Sequence, residues 1–457
     1  MFLGKVKKIH FVGIGGIGMS GIAELMINLG YKISGSDIHE TEITDRLKKL
    51  GGVIHNNHKA ENISDADMVV YSSAIPRDNP ELKSALKKNI LIISRAEMLG
   101  EIMRMKYSIA IAGTHGKTTT TSMIGLVLTY GGFDPTLIVG GKLKSLKSNV
   151  KLGEGEFLVA EADEFDRTFL KLIPTFAVIT TIESEHLDCY KNLDDIKDAF
   201  VEFANKVPFF GTVTLCIDEL GVIEIAHRIK RRISTYGISE DADLRAESVN
   251  FNKNQSKFKA IFKNKPIGDF SINNPGIHNI KNALAAISIG IELEIPIEKI
   301  REALSQFTGV HRRFEIKANI NNIMIVDDYA HHPTEIKVTL KAAKIGWKRR
   351  IITIFQPHLY TRTRDFYEIF SQSFFDSDIL IVIEIYPARE KPIEGISGKL
   401  IADKAVELGH KNAHFMQDEN EIIEFIKKNA KPNDIVITMG AGNVWQIGEK
   451  LIKVLKQ

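Results

Sequence analysis

The chain has 457 residues, 44% hydrophobic and 26% charged, with a formal net charge of +3 at pH 7. This is the composition of an ordinary globular protein with several cores at about 150 residues per domain, and so small a charge gives no reason to expect nucleic acid or an anionic membrane as partner. Two cysteines, Cys189 and Cys216, exclude a disulfide framework and suit a reducing cytoplasm; no secretory leader is expected at the start, and no apolar run reaches the ~20 residues of a membrane span.

The first block opens with an apolar strand, Lys8-Ile-His-Phe-Val12, followed by a helix from Met19 to Leu29 and a strand, Tyr31-Lys-Ile-Ser34. Between strand and helix stands Gly13-Ile-Gly15-Gly16-Ile-Gly18. Glycines at such a turn allow a tight bend, close approach of backbone to a pyrophosphate, and close helix–strand packing. Asp37 follows the second strand, where a carboxylate accepts from ribose hydroxyls. UDP and NAD both offer a pyrophosphate and a ribose, so the pattern leaves the nucleotide open; strand, helix and distal acid together favour binding over the alternative of a turn serving packing alone. The strand Met68-Val-Val-Tyr71 runs into Ser72-Ser73-Ala74. Open α/β sheets present ligand contacts at such strand ends, although serines there also simply make turns. A further strand is read at Ile90 to Ile93.

The second block begins with the strand from Tyr107, which runs into Gly113-Thr114-His115-Gly116-Lys117-Thr118-Thr119 and a helix. Backbone N–H groups at this turn and the positive end of the helix favour phosphate oxygens. Lys117 reaches for the β- and γ-phosphates, and the Thr118 hydroxyl suits a Mg²⁺ position. The spacing G-x-x-x-x-G-K-[ST] would place glycine where Ile111 stands. Three threonines after the lysine are poor helix formers, which implies another demand on them. Two later strands, Glu156 to Ala160 and Phe176 to Thr180, run into the acidic segments Glu161-Ala-Asp163-Glu164 and Glu183-Ser-Glu185-His186-Leu-Asp188. Carboxylates at strand ends beside a phosphate loop suit Mg²⁺, with Glu161 and His186 as ligands, whereas either segment alone reads as a solvated loop. After the strand Thr212 to Cys216, short alternating segments from Ala242 to Phe270 predict an antiparallel insertion. His278-Asn279-Ile-Lys-Asn282 then opens an alanine-rich helix running to Ile291, where one asparagine serves as cap and the rest of the cluster is free to touch a nucleotide.

The third block starts near Phe314, with strands at Ile323–Val326, Ile351–Phe355, Ile379–Ile383 and Ile435–Thr438. Its polar text is Gly309-Val-His-Arg312-Arg313, then Asp327-Asp328-Tyr329-Ala-His331-His332-Pro333-Thr-Glu335, then His358-Leu-Tyr-Thr-Arg362-Thr-Arg364. Neighbouring histidines point in different directions and lack a Cys or HExxH partner, so zinc is not expected. Arg362 and Arg364 read as carboxylate or phosphate clamps, or as a solvated helix start.

Gly13 through Glu24, Gly113 through Thr119, Glu161 through Glu164, Asp327 through Glu335 and Met439-Gly-Ala-Gly442 together resemble the Mur ligases, the ATP-dependent amide-forming enzymes of peptidoglycan precursor synthesis. The likeness covers essentially the whole chain, and the family's short phosphate loop, which lacks the distal glycine, accounts for Ile111. The resemblance implies an α/β protein of three domains. A Rossmann-like domain over 1–104 binds the UDP-sugar. A P-loop ATPase-type domain over 105–312, with a mostly parallel sheet and an antiparallel insertion, binds ATP. A Rossmann-like domain over 313–457 binds the amino acid.

It further implies cytoplasmic ligation of L-alanine to UDP-N-acetylmuramate by a monomer or weak homodimer, with ATP and Mg²⁺. ATP phosphorylates the lactyl carboxylate, and the alanine amine attacks the acyl phosphate. By similarity Lys117, Glu161 and His186 are catalytic, with Thr118, Glu161 and His186 on the metal. Gly113 to Thr119, Asn279, Arg312 and Asp327 contact ATP. Gly13, Gly15, Gly16, Gly18, Asp37 and Ser72 to Ala74 line the UDP site, while His331 and Arg362 face the amino acid. Relatives often carry arginine where Leu359 stands, and no lysine matches the carbamylated lysine of sister ligases. Three rivals are a murein-peptide ligase attaching a tripeptide to the same UDP-sugar, an NAD-dependent dehydrogenase, and a non-catalytic nucleotide switch.

Overall fold

The computed structural model describes residues 3–140, 150–185, 189–388 and 390–456. Short β-rich apolar runs buried on both faces alternate with amphipathic helices, the pattern that forces parallel sheets covered by helices. The first five strands are β1 (Lys8–Val12), β2 (Lys32–Ser36), β3 (Val53–His55), β4 (Met68–Tyr71) and β5 (Leu91–Ser94). With α1 (Ile17–Asn28), α2 (Glu42–Lys49), α3 (Pro80–Lys87) and α4 (Arg95–Arg104), they form a five-stranded sheet of order β3-β2-β1-β4-β5. All four pairings are parallel. Val12 stands opposite both Ser36 and Tyr71, so the glycine turn, Asp37 and the Ser72 loop leave the sheet at one edge.

The second sheet has ten strands in the order β15-β14-β13-β12-β11-β10-β6-β9-β7-β8. Its centre is β6 (Tyr107–Ala112), which leads into α5 (Lys117–Tyr130); β7 (Thr136–Ile138), β8 (Val150–Lys151) and β9 (Phe157–Ala162) follow on one side. On the other side come β10 (Phe176–Ile179), α6 (Leu193–Asn205), β11 (Thr212–Cys216), α7 (Leu220–Ala226) and β12 (Ile233–Gly237). The strands β13 (Leu244–Asn252), β14 (Gln255–Phe262) and β15 (Lys265–Ile272) are joined by Lys253-Asn254 and Lys263-Asn264. Two-residue links require antiparallel neighbours, as expected for the insertion. Lys263 and Asn264 both take positive φ, 47° and 63°, which matches the twist of such a hairpin. The helices α8 (Ile277–Glu292) and α9 (Ile297–Ser305) follow.

The third sheet has the order β16-β17-β21-β18-β19-β20. Its elements are β16 (Glu315–Ile320), β17 (Ile323–Asp328), α10 (Pro333–Trp347), β18 (Arg350–Phe355), α11 (Tyr360–Ser371), β19 (Ile379–Val382), α12 (Lys399–Glu407), β20 (Ala413–Phe415), α13 (Glu419–Asn429), β21 (Asp434–Met439) and α14 (Trp445–Leu455). Only β16 runs antiparallel to its neighbour within this sheet. One apolar core faces α10 and α11, and another faces α13 and α14.

By density of contacts, residues 1–247, 259–270 and 281–307 form one compact unit, and 248–258, 271–280 and 308–457 a second. Six strands escape the sequence reading: β3, β7, β8, β12, β16 and β20. Four of these have three residues or fewer, too short for an apolar run to announce them.

Candidate active site

At the edge of the first sheet the glycine turn is fixed by hydrogen bonds from below. Ser36 O accepts from both Gly13 N (2.9 Å) and Ile14 N (3.0 Å), and Asp37 Oδ2 accepts from Gly15 N at 2.9 Å. A Cβ on Gly15 would lie 2.8 Å from that same carboxylate oxygen, and Gly13 sits at φ 80° against Ile75 and Ser72. Asp37 Oδ1 also accepts from His39 N at 3.1 Å. Asp37 therefore shapes the glycine turn itself. Ser72 N donates to Val12 O, while Ser73 and Ala74 are exposed.

The phosphate loop is built on the second sheet. Ala112 pairs with Ala162 on β9 and with Ile179 on β10, so Gly113, Asp163 and Thr180 emerge side by side. Gly113 has φ 139° and Gly116 φ 82°, conformations that glycine adopts without strain. A Cβ on Gly113 would collide with Thr180 Oγ1, and one on Gly116 would lie 2.8 Å from Asn282 Oδ1. Thr181 anchors the loop by accepting from Thr114 N at its carbonyl (3.0 Å) and from His115 N at its hydroxyl (2.8 Å). Glu183 N donates to Thr114 Oγ1 at 2.9 Å, and the Glu183 carboxylate lies 3.4 Å from His115 Nε2. One of the threonines after the lysine finds its reason here. Thr120, fully buried, donates to Asn282 Oδ1 at 3.1 Å and so ties α5 to α8.

Lys117 Nζ donates to Gly113 O and to Glu164 Oε2, each at 2.7 Å. Burial opposes the lysine's charge, but the carboxylates of Glu164, Asp163 and Glu185 outweigh it, so its pKa rises and it stays protonated. Burial pushes Glu164 up to about 7 in spite of Lys117, with Asp163 and Glu185 adding to the rise. Tyr190 Oη donates to Glu164 O at 2.6 Å and fixes that segment from the α6 side. Glu161, at the end of β9, accepts from Gly140 N at 2.6 Å. His186 lies outside the described residues.

On the third sheet, Asp328 stands opposite Met439, which stands opposite Phe355, so three loops converge at one edge. Arg312 has φ 58° and spreads its guanidinium over three acceptors: Asp327 Oδ2 (2.9 Å), Gly440 O (2.6 Å) and Gly442 O (3.2 Å). Thr438 Oγ1 donates to the other oxygen of Asp327 at 2.8 Å. Asp328 turns the opposite way and accepts from Phe314 N and Ala330 N, both at 2.7 Å. Burial pushes its carboxyl up to about 6, against the pull of Arg313 and those two N–H groups. His331 Nδ1 lies 3.0 Å from Tyr329 O, and its ring stands edge-on to His358 at 5.9 Å. His358 in turn stacks on Tyr386, and Arg362 Nη1 lies 3.5 Å from His358 Nδ1. Leu359, at φ 72°, carries the strain of this turn. Arg364 does not serve as a clamp: its guanidinium is exposed and pairs with its neighbour Asp365. Asn279 donates to Pro275 O at 2.7 Å, which pins the start of α8.

Three family models match the chain end to end: "Mur ligase family, catalytic domain" over residues 8–107, "Mur ligase middle domain" over 111–290, and "Mur ligase, glutamate ligase domain" over 312–442. The chain belongs to the Mur ligase family. A UDP-N-acetylmuramate–L-alanine ligase of Geotalea uraniireducens is 53% identical to it over 99% of both chains. The corresponding ligase of Geobacter sulfurreducens is 50% identical over 99% of both. Among solved structures, the UDP-N-acetylmuramate–alanine ligase of Thermotoga maritima superposes with a TM-score of 0.83 at 32% identity, covering 98% of this chain and 99% of that one. A murein peptide ligase of Psychrobacter arcticus superposes with a TM-score of 0.70 at 25% identity, covering 98% of each.

Two residues of this Mur ligase chain join the candidate set, Asn282 from the asparagine cluster already read in the sequence and Arg95, which sequence reading passed over. Asn282 closes the phosphate loop from behind, through Thr120 and against Gly116. Arg95, the first residue of α4, lays its guanidinium over the first turn of α1, 3.0 Å from where a Cβ on Gly18 would be. Among the described residues Arg95 has no ion pair, so a cation stands beside the positive end of a helix without a counter-charge. The only sequence signal for it is a lone arginine after a strand, Ile93-Ser-Arg95. No helix of the described residues is long and apolar enough to cross a membrane.

Proposed function

We infer that the chain is an ATP-dependent ligase that joins UDP-N-acetylmuramate to L-alanine through an amide, the first amino-acid addition to the peptidoglycan precursor. The observation that carries this is the presence of two glycine turns at separate sheet edges in one Mur ligase chain whose near-full-length relatives bear that name. The first edge, at Gly13, Gly15, Gly16, Gly18, Asp37 and Ser72 to Ala74, takes the UDP-sugar, with Arg95 against its diphosphate. The second, at Gly113 to Thr119, takes ATP, while Asn279, Arg312 and Asp327 complete the nucleotide contacts. His331 and Arg362, joined to His358 and Tyr386, face the amino acid, whose carboxylate suits a guanidinium. The division into modules over 1–104, 105–312 and 313–457 belongs to the same reading.

A carboxylate is a poor electrophile, so the reaction first turns it into a mixed anhydride. A lactyl carboxylate oxygen attacks the γ-phosphorus and ADP leaves. The neutral alanine amine then attacks the acyl carbon, the amide forms, and inorganic phosphate leaves with the former carboxylate oxygen while the amine loses a proton. The protein's part is positioning and charge. Lys117, protonated and already buried beside Gly113 O, exchanges Glu164 for phosphate oxygens and neutralises charge as it shifts toward the bridging oxygen. The oxygen donors at the helix start and strand end suit Mg²⁺: the Thr118 hydroxyl and the Glu161 carboxylate would hold it together with His186, and it would supply Lewis-acid stabilisation of the phosphates. The two free thiols fit a cytoplasmic enzyme; a monomer or weak homodimer belongs to the same reading by family resemblance.

A steady-state assay of ADP release tests the reading. ADP is expected only when UDP-N-acetylmuramate, ATP, Mg²⁺ and L-alanine are all present, with L-serine and glycine as weaker or inactive alternatives. Turnover with the murein tripeptide and none with L-alanine would replace it with the peptide-ligase reading.

A further inference from the structure

One buried carboxylate ties together the two loops that the functional reading gives to the UDP-sugar. Glu81 is fully buried at the start of α3, where Asn79 Oδ1 accepts from its N–H at 2.9 Å. No lysine or arginine reaches it among the described residues. Ser36 Oγ (2.6 Å) donates to Oε2 and Asn62 Nδ2 (2.7 Å) to Oε1, while two histidine nitrogens lie close by, His58 Nδ1 3.0 Å from Oε2 and His10 Nε2 3.5 Å from Oε1. The side chain of His10 is itself fully buried and meets Ser34 Oγ at 2.9 Å. A carboxylate is expensive to bury, and this arrangement is worth retaining only where it holds something in place.

What it holds is the end of β2. Ser36 gives its hydroxyl to Glu81 and its carbonyl to the N–H groups of Gly13 and Ile14, and its neighbour Asp37 takes the N–H of Gly15. Glu81 is reached along the chain from the Ser72 loop, whose Ser72 and Ile75 side chains pack under Gly13. The carboxylate thus links the Ser72 side of the edge to the glycine turn through the Ser36 hydroxyl, which also meets His58 Nδ1 at 2.9 Å. We propose that Glu81, through Ser36, is a positioning residue that presets the glycine turn and Asp37 for the diphosphate and ribose of the UDP-sugar. The proposal rests on the functional reading above. Burial opposes the charge of this group, but His10, Ser36 and Asn62 outweigh it and hold its pKa down at about 2, so it is charged whenever the enzyme works.

The test is a set of three variants, Glu81→Gln, Ser36→Ala and the double variant, with KM measured for all three substrates. A lost fraction of folded protein lowers kcat without raising KM, which separates positioning from stability. Glu81→Gln is expected to raise KM for UDP-N-acetylmuramate about tenfold, the scale of one lost buried hydrogen bond, while KM for ATP and L-alanine stays within about twofold. Ser36→Ala, the milder change, is expected to show the same selective rise, and the double variant to be no worse than Glu81→Gln alone, because both act through one contact. Unchanged KM values, an equal rise for all three substrates, or a double variant equal to the product of the singles overturns the proposal. Wild-type enzyme that ignores the UDP-sugar overturns the functional reading and this inference with it; normal wild-type turnover beside an unchanged Glu81→Gln KM overturns this inference alone.

Discussion

Lys117→Ala is expected to lower turnover by at least about 10²–10³-fold, the scale of losing one preorganised charge at the reacting group, while UDP-sugar affinity stays within about twofold of wild type. The asymmetry follows from the two sheet edges. Lys117 begins α5 on the second sheet, and the glycine turn and Asp37 belong to the first. The variant also removes the cation that Glu164 faces at 2.7 Å. With its pKa already near 7, Glu164 then takes up a proton instead of remaining as an isolated buried charge. The fold should therefore survive, and calorimetry with UDP on the variant is a fair comparison. A parallel loss of UDP affinity would mean that the two edges are coupled through the loop itself.

Arg312→Ala has the second-largest expected effect, and here stability and activity fall together. The guanidinium satisfies Asp327, Gly440 O and Gly442 O at once, and Asp327 is almost fully buried. Removing one partner of a buried pair leaves the other charge uncompensated, at about 3–5 kcal/mol. Arg312→Lys should rescue only part of this, because an ammonium cannot span three acceptors in a plane. The expected result is a lowered midpoint of urea unfolding together with a raised KM for ATP. A lysine variant indistinguishable from wild type would show that charge alone, and not the fork, does the work.

The parts of the site carried by contiguous text were legible in the sequence. Gly113 to Lys117 reads as a phosphate cradle because strand, turn and helix follow in one run, and Gly13 to Gly18 reads as a nucleotide turn for the same reason. Side chains brought from a distance were not legible. Asn282 lies 162 residues from Thr120 yet decides how α5 begins, and Glu81 lies 45 residues from Ser36. Nothing in local text marks a glutamate at a helix start as a buried anchor rather than an ordinary first-turn acid. The reading of Asp37 was incomplete in the same way, since its bond to Gly15 N depends on the register of β1 against β2. For Arg364 the exposed pair with Asp365 fits the solvated helix start, the second of its two readings, because a guanidinium clamp and a pair with the next residue have identical sequence signals.

The central claim is that ATP is spent on the lactyl carboxylate, and the fate of one oxygen atom tests it most directly. UDP-N-acetylmuramate carrying ¹⁸O in that carboxylate is incubated with the enzyme, ATP and L-alanine, and the released phosphate is examined by mass spectrometry. Phosphate that has gained one ¹⁸O per turnover is the result predicted by an acyl-phosphate intermediate. Phosphate free of label, released at the rate of amide formation, would contradict it.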